Sequence, residues 1–221
     1  MRHVILNFHG LGAPDQRPLE PGEDRYWVDA QVLRDTIDLS QQLRDKVDVK
    51  FTFDDGNLSD LAIGAPLLNA ASISAQFFVL ADRIDQPGSL STAQMRELVA
   101  QGHQIGSHGA AHVNWKTADL DRELGSDTRQ KIADAAGTPI TQAAIPFGAY
   151  NGRVVRALRD AGYTQCYSSD GGAYDKSQYP IPRTSIRADM TMDDIRAVIL
   201  GHEPAKARVR RALAHFIKKR V

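Results

Sequence analysis

The chain has a single cysteine, Cys166, among its 221 residues, so no internal disulfide can form. Its stability must come from buried apolar surface, and a chain of this length suffices for one large domain (residues 1–221) with a sizeable core. Such cysteine usage fits a reducing compartment. Cys166 lies in an apolar stretch and reads as a buried structural thiol. Net charge is missing too, because 27 Lys and Arg balance 27 Asp and Glu. A neutral chain lacks the basic surplus that bulk nucleic-acid binding requires, so no nucleic-acid partner is expected. No run approaches the ~20 apolar residues of a membrane span. The opening stretch Met1-Arg2-His3-Val4-Ile5-Leu6-Asn7-Phe8-His9 reads as a strand, without the apolar segment or cleavage site of a secretory leader. Taking residue 1 as the natural start, a cytoplasmic location is expected. What remains is ordinary for a soluble globular protein: 42% hydrophobic and 24% charged residues.

Against this unremarkable background one stretch stands out, Phe51-Thr52-Phe53-Asp54-Asp55-Gly56. The β-branched and aromatic residues 49–53 predict a strand. Asp54 and Asp55 then fall at its carboxyl end, where parallel α/β folds bind ligands, and Gly56 allows a sharp turn. Two adjacent carboxylates repel each other, so their burial at one strand end calls for a cation nearby. Some fifty residues on, Ser107-His108-Gly109-Ala110-Ala111-His112 carries two histidines four apart, a spacing that puts both on one face of a helical turn. Two histidines and one carboxylate supply the three protein ligands of a catalytic zinc site, with a fourth position for water. The spare carboxylate can then serve as a base. Alone, Asp-Asp-Gly is commonly just a turn and His-x-x-x-His is a weak signal. It is their conjunction, each after a predicted strand, that points to a mononuclear metal centre.

These two stretches, with Pro146-Phe147-Gly148-Ala149-Tyr150-Asn151, occur in the order and spacing of the polysaccharide deacetylases, the NodB-homology fold of carbohydrate esterase family four. Smaller similarities lie at residues 75–79, 102–106 and 161–163, and the resemblance runs from about residue 4 to about 186, most of the chain. It implies a distorted (β/α) barrel and metal-dependent removal of an N-acetyl group from an amino sugar in an oligo- or polysaccharide. In the implied mechanism Asp55, His108 and His112 hold one divalent metal. Zinc suits this ligand set best, and Co2+, Ni2+ or Fe2+ are the alternatives. Asp54 accepts the proton of the attacking water, and a main-chain N–H near Tyr150 helps hold the oxyanion.

The resemblance has one gap. The family normally carries an arginine two residues before the proline of Pro-Phe-Gly, where it orients the base aspartate. Here that position is Ala144, and Arg183, in Ile181-Pro182-Arg183-Thr184, is the candidate replacement. On the substrate side the candidates are Pro146, Phe147, Tyr150, Asp170 and Arg183. Asp170 takes the place of a family acidic residue that supports the general acid, although an Asp before two glycines also suits a plain turn. For the proton donor to the leaving amine, Leu200-Gly201-His202 matches the family's late Leu-x-His motif and nominates His202. Against it, Thr191-Met192-Asp193-Asp194 is a capping box, so residue 202 falls just past a helix C-terminus, where a histidine simply suits the dipole. His9, at the end of the first predicted strand, is the other candidate. His103 precedes its strand and reads as structural.

The remaining pattern is a βα alternation. Helices are expected over residues 28–46, 60–71, 119–136 and 151–161, and Ser91-Thr92-Ala93-Gln94 is a second capping box. Residues 11–25, rich in Gly, Pro and charge, read as a long loop of the kind that covers substrates. Tyr26 and Trp27 could stack on a sugar or anchor the next helix. Residues 204–221 read as a basic amphipathic helix, either closing the barrel bottom or making weak contact with an anionic membrane surface. Two other functions fit the same residues: hydrolysis of another non-peptide carbon–nitrogen amide, and a silent glycan- or metal-binding module. The retained Asp54 argues against the module, since a binder needs no base.

Overall fold

A computed structural model describes residues 1–14, 17–175 and 177–202. The expectation for residues 204–221 lies outside the described residues. The chain alternates strand and helix: β1 (Arg2–Phe8), α1 (Ala30–Gln42), β2 (Val47–Phe53), α2 (Ala65–Ala70), β3 (Gln76–Val79), α3 (Thr92–Ala100), β4 (Gln104–Ser107), α4 (Leu120–Leu124), α5 (Ser126–Ala136), β5 (Gln142–Ala144), α6 (Gly152–Asp160), β6 (Gln165–Ser168), β7 (Ile181–Pro182), β8 (Thr184–Ser185) and α7 (Met192–Leu200). All eight strands are parallel, in the order β7-β6-β5-β4-β3-β2-β1-β8.

The two edges of this sheet are consecutive in the chain. β7 pairs with β6 and β8 pairs with β1, so residues 181–185 bridge the opening and nearly close the sheet into a distorted (β/α) barrel. Arg183 lies at the seam between them.

Strand periodicity separates two cores. Ile5, Phe78, Ala144, Tyr167, Tyr174 and Ile181 form one buried cluster, contributed largely by alternate strand positions that face the barrel interior. A much larger cluster, including Phe8, Phe51, Phe53, Phe77, Leu98, Ile132 and Leu158, fills the space between barrel and helices. One layer below the inner cluster, Gln142 donates to Gln104 at 3.1 Å, and the Tyr167 hydroxyl reaches down to the side-chain oxygens of Gln165 and Gln142, at 2.6 and 3.0 Å, with its one proton to donate. The amino end of the barrel thus carries a polar ring around a solvent-facing hollow, and the metal-ligand candidates lie at the carboxyl end.

Local signals set the helix starts. Asp29 caps α1, Asn151 caps α6, and full capping boxes open α3 at Ser91 and α7 at Thr191. Two expected helices differ from their sequence pattern. The 119–136 helix breaks in two at Gly125, whose Cβ would stand 2.2 Å from the Asp121 carbonyl oxygen. The 60–71 helix begins as a π-helical turn over Asp60–Gly64 and runs on directly into α2, with Pro66 in the first turn of α2. No described helix is long and apolar enough to cross a membrane.

Candidate metal centre

β2 ends at Phe53, and the next two residues turn their carboxylates into the carboxyl end of the barrel. Asp54 continues the inward alternation of Thr52. Asp55 takes φ = 77°, a left-handed conformation that is costly for a residue with a Cβ. Gly56 follows at φ = 64°, and a Cβ there would sit 3.0 Å from Val79, so this turn accepts little else.

β4 delivers His108 from the neighbouring side of the barrel. The histidine segment is not the helical turn that its spacing suggests: residues 108–113 form an irregular loop. The loop is shaped by Glu123 of α4, which is 1% exposed and accepts from the N–H groups of Ala110 and Ala111 at 3.0 Å each. Gly109, at φ = 95°, lies against buried Trp115. Both imidazoles are nevertheless turned to the same point. His108 Nδ1 donates to the Ala144 carbonyl at 2.8 Å, and His112 Nδ1 faces the Glu20 carboxylate at 2.6 Å. An N–H on each Nδ1 leaves the Nε2 lone pair of each ring free.

The two Nε2 atoms lie 3.5 and 3.6 Å from Asp55 Oδ1, a buried oxygen with no hydrogen-bond partner. These separations are too long for hydrogen bonds. They match the edge of a tetrahedron whose ligands lie about 2.0–2.1 Å from a central ion, which is about 3.3–3.4 Å. Asp55, His108 and His112 together offer ligand atoms within 4.8 Å of one another. An orphaned buried carboxylate oxygen facing two imidazole lone pairs therefore fits a divalent cation. Burial lowers the proton affinity of His108, which outweighs the opposite pull of Asp54 and Asp55 and keeps the ring neutral, as a ligand must be.

The family model for polysaccharide deacetylase matches residues 42–166, more than half of the chain. The chain belongs to the polysaccharide deacetylase family. The Bacillus subtilis (strain 168) protein YxkH is 25% identical over 147 residues, which are 65% of this chain and 53% of that protein. The chain thus spans about half the length of this curated relative. Among solved structures, a polysaccharide deacetylase from Bacillus cereus superposes with a TM-score of 0.75 at 20% identity, covering 90% of this chain and 69% of the other. The Streptococcus pyogenes deacetylase PplD superposes with a TM-score of 0.75 at 17% identity, covering 92% and 99%. A de-N-acetylase from Aggregatibacter actinomycetemcomitans gives 0.72 at 16%, covering 90% and 100%. At such identities these likenesses describe the barrel alone.

This polysaccharide deacetylase chain lacks an arginine at Ala144, and Arg183 meets Asp54 instead. The Arg183 side chain is completely buried and makes a two-pronged pair with Asp54, Nη1 to Oδ1 and Nη2 to Oδ2, both 2.7 Å. It also donates to Asn7 Oδ1 at 2.9 Å, and its guanidinium lies 5.2 Å from the ring centre of Phe78. Asn7 in turn donates to Asp54 Oδ2 at 2.9 Å. Burial acts to raise the Asp54 carboxyl, but the paired Arg183 guanidinium overrides it and holds Asp54 well below the usual carboxylate range. Asp54 Oδ2 is 3.9 Å from His108 Nε2, so an ionised carboxylate that is not part of the ligand triad stands beside it.

Above these groups lies a cavity of about 270 Å³, lined by His9, Tyr26, Asp54, Asp55, His108, His112, Phe147 and the 20–25 loop. The substrate-side candidates divide here. Phe147 lines the cavity, 62% exposed at φ = 58°, with its ring 4.3 Å from that of His112. Pro146 and Tyr150 are buried outside it; Tyr150 donates its hydroxyl to Asp170 at 2.6 Å, and Ser168 donates to the same oxygen at 2.8 Å. Arg183 is corrected from the substrate side to the interior, because the seam points it at Asp54 from below. Both Tyr150 and Asp170 likewise support the wall rather than line it.

His202 is also corrected. Gly201, at φ = 77°, ends α7 beside Arg2, whose Nε donates to the Ile199 carbonyl at 2.9 Å. Arg2 begins β1, so the exposed His202 sits at the amino end of the barrel, opposite the metal ligands. His9 does line the cavity, its ring 4.8 Å from Tyr26. His103 is buried at the start of β4, edge-on to Phe77, and its Nδ1 accepts from the Ala75 N–H at 3.2 Å. Trp27 packs over Gly10, and Tyr26 faces the cavity.

Among the polar residues around the site that no sequence pattern singled out are Asn7, Glu20, Glu123 and Asp60. Asp60 is fully buried with both carboxylate oxygens unpartnered, and burial, then Asp55 and Asp54, push its carboxyl well above the ordinary value. Only its place six residues after Asp54 could have drawn attention to it.

Proposed function

We propose that this chain is a metal-dependent hydrolase that removes N-acetyl groups from an N-acetylated amino-sugar oligo- or polysaccharide. The observation that carries this reading is the pairing of a three-ligand cluster with a separate ionised carboxylate at the floor of one cavity. Membership of the polysaccharide deacetylase family supports it. Asp55, His108 and His112 are the residues that would hold the metal, with zinc the best match to two imidazoles and a carboxylate. A divalent cation bound there supplies Lewis acidity, lowering the pKa of bound water and polarising an acyl oxygen.

The chain's own groups account for the rest. Asp54 is ionised and fixed by Arg183 and Asn7, so it presents a hydrogen-bond acceptor to the attacking water and takes its proton. Its low proton affinity suits a water that is already acidified. Among the described residues, His9 is the histidine that remains in the cavity beside the ligand pair, and it is the donor to the departing amine. Tyr26 and Phe147 flank the entrance with aromatic faces on which a sugar ring can rest.

The deciding experiment measures bound metal together with acetate release from N-acetylglucosamine oligomers, with and without a chelator. About one metal per chain and chelator-sensitive acetate are expected. Asp54→Asn should keep the metal and lose turnover by orders of magnitude, whereas His108→Ala and His112→Ala should lose the metal. Bound metal without acetate release would move the reading to another amide, and no metal after supplementation would end it.

A further inference from the structure

The two histidines of the centre are oriented by partners of different kinds. His108 is held by the main-chain carbonyl of Ala144, the last residue of β5. A barrel strand cannot shift without disturbing its neighbours, so that partner is fixed. His112 is held by Glu20, 92 residues away in the chain, from a loop whose one regular turn is the 3-10 helix Asp24–Tyr26.

Glu20 uses both of its carboxylate oxygens. Oε2 faces His112 Nδ1 at 2.6 Å, and Oε1 pairs with Arg83, which follows β3. The Glu20 main-chain N–H donates to Glu23 at 2.8 Å, and Glu23 is buried against Arg17. Arg17 reaches on to the Asn57 side-chain oxygen at 2.8 Å, two residues past Asp55. The loop is thus tied at one end to the turn that carries Asp55 and at the other to His112. Its residues 20–23 also form one wall of the cavity.

A carboxylate on the far nitrogen of a metal-binding imidazole sets the tautomer, aims the ring and raises its basicity; removing such a partner typically weakens metal binding by about 10–100-fold. We propose that Glu20 is the positioning residue for His112, and that through it the 17–26 loop sets the metal affinity of the centre. This inference rests on the metal-centre reading above.

The test is a Co2+ titration of the metal-free full chain against a competing chelator, followed by the visible d–d absorption, with the thermal midpoint of each metal-free protein measured alongside. Glu20→Gln keeps the size and one hydrogen-bond acceptor but removes the charge; a loss of affinity of about tenfold is expected. Glu20→Ala should lose about 10–100-fold. Arg83→Gln, which touches only Glu20's other oxygen, should lose several-fold. A merely structural role would lower the metal-free midpoint and leave the affinity of the folded fraction unchanged. An affinity for Glu20→Gln and Glu20→Ala within twofold of the parent overturns the inference while leaving the metal centre standing. A parent chain that binds no Co2+ overturns both.

Discussion

Arg183 and Asp54 form a fully buried ion pair, and Asp54 without the guanidinium would be an unpaired buried charge. Arg183→Met should destabilise the fold by about 3–5 kcal/mol, because it strands an unpaired carboxylate in the barrel interior. The pH dependence gives the sign. In the parent, Asp54 is held below its unfolded value, so its contribution is present above about pH 4 and is lost as the pH falls towards the folded value. In Arg183→Met burial acts unopposed by the guanidinium, so the deficit should grow as pH rises above about 4. Denaturant unfolding across pH 4–8 would show it, and a deficit independent of pH would contradict it. His9 makes a different prediction. If it protonates the departing amine, His9→Gln should lose about 10²–10⁴ in kcat on an N-acetyl sugar and much less on an activated acetate ester, whose leaving group needs no proton. Equal losses on the two substrates would count against the role.

At the scale of elements, the break at Gly125 explains how a weak histidine spacing becomes a defined pair. Because the chain turns there, α4 is only five residues long and ends beside the histidine loop, where Glu123 accepts from two of its N–H groups. Glu123→Ala should leave both donors without their acceptor, costing about 1–3 kcal/mol per unsatisfied group, and should weaken metal binding by releasing the loop. Urea unfolding of the metal-free chain and a Co2+ titration would separate the two effects. The helix starts needed no such context: Asp29, Ser91, Asn151 and Thr191 act within three residues of themselves. The histidine loop did need it, since a four-residue spacing fits a helical turn as well as an irregular one whose N–H groups are held by a distant carboxylate.

For the whole molecule, the centre joins β2, the loop after β4 and, through Arg183, the seam that closes the barrel. Metal binding should therefore stabilise the native state as a unit. Free metal at 100-fold its dissociation constant adds about 2.7 kcal/mol, which for a domain of this size corresponds to a rise of about 5–10 °C in Tm. Differential scanning calorimetry with and without zinc should show that rise, and Asp55→Asn should abolish it.

The amino-acid sequence by itself determined the strands that precede Asp54 and His108, the capped helix starts, the metal-ligand candidates and the likeness to the polysaccharide deacetylases. These rest on short-range causes: side-chain alternation, caps and a glycine turn are encoded within a few residues. Arg183 was legible as the replacement for the arginine missing at Ala144, but its exclusion from the substrate side was not. Its bond to Asp54 spans 129 residues and exists because two strand pairings, β6 with β7 and β1 with β8, bring both sheet edges to one segment. The same holds for Glu20, Asn7 and Glu123, and in reverse for His202, whose motif letters match but whose helix ends at the opposite face. Which distant polar groups meet at the centre was decided by closure of the barrel. That closure follows from the summed packing of the whole chain, and no local stretch encodes it.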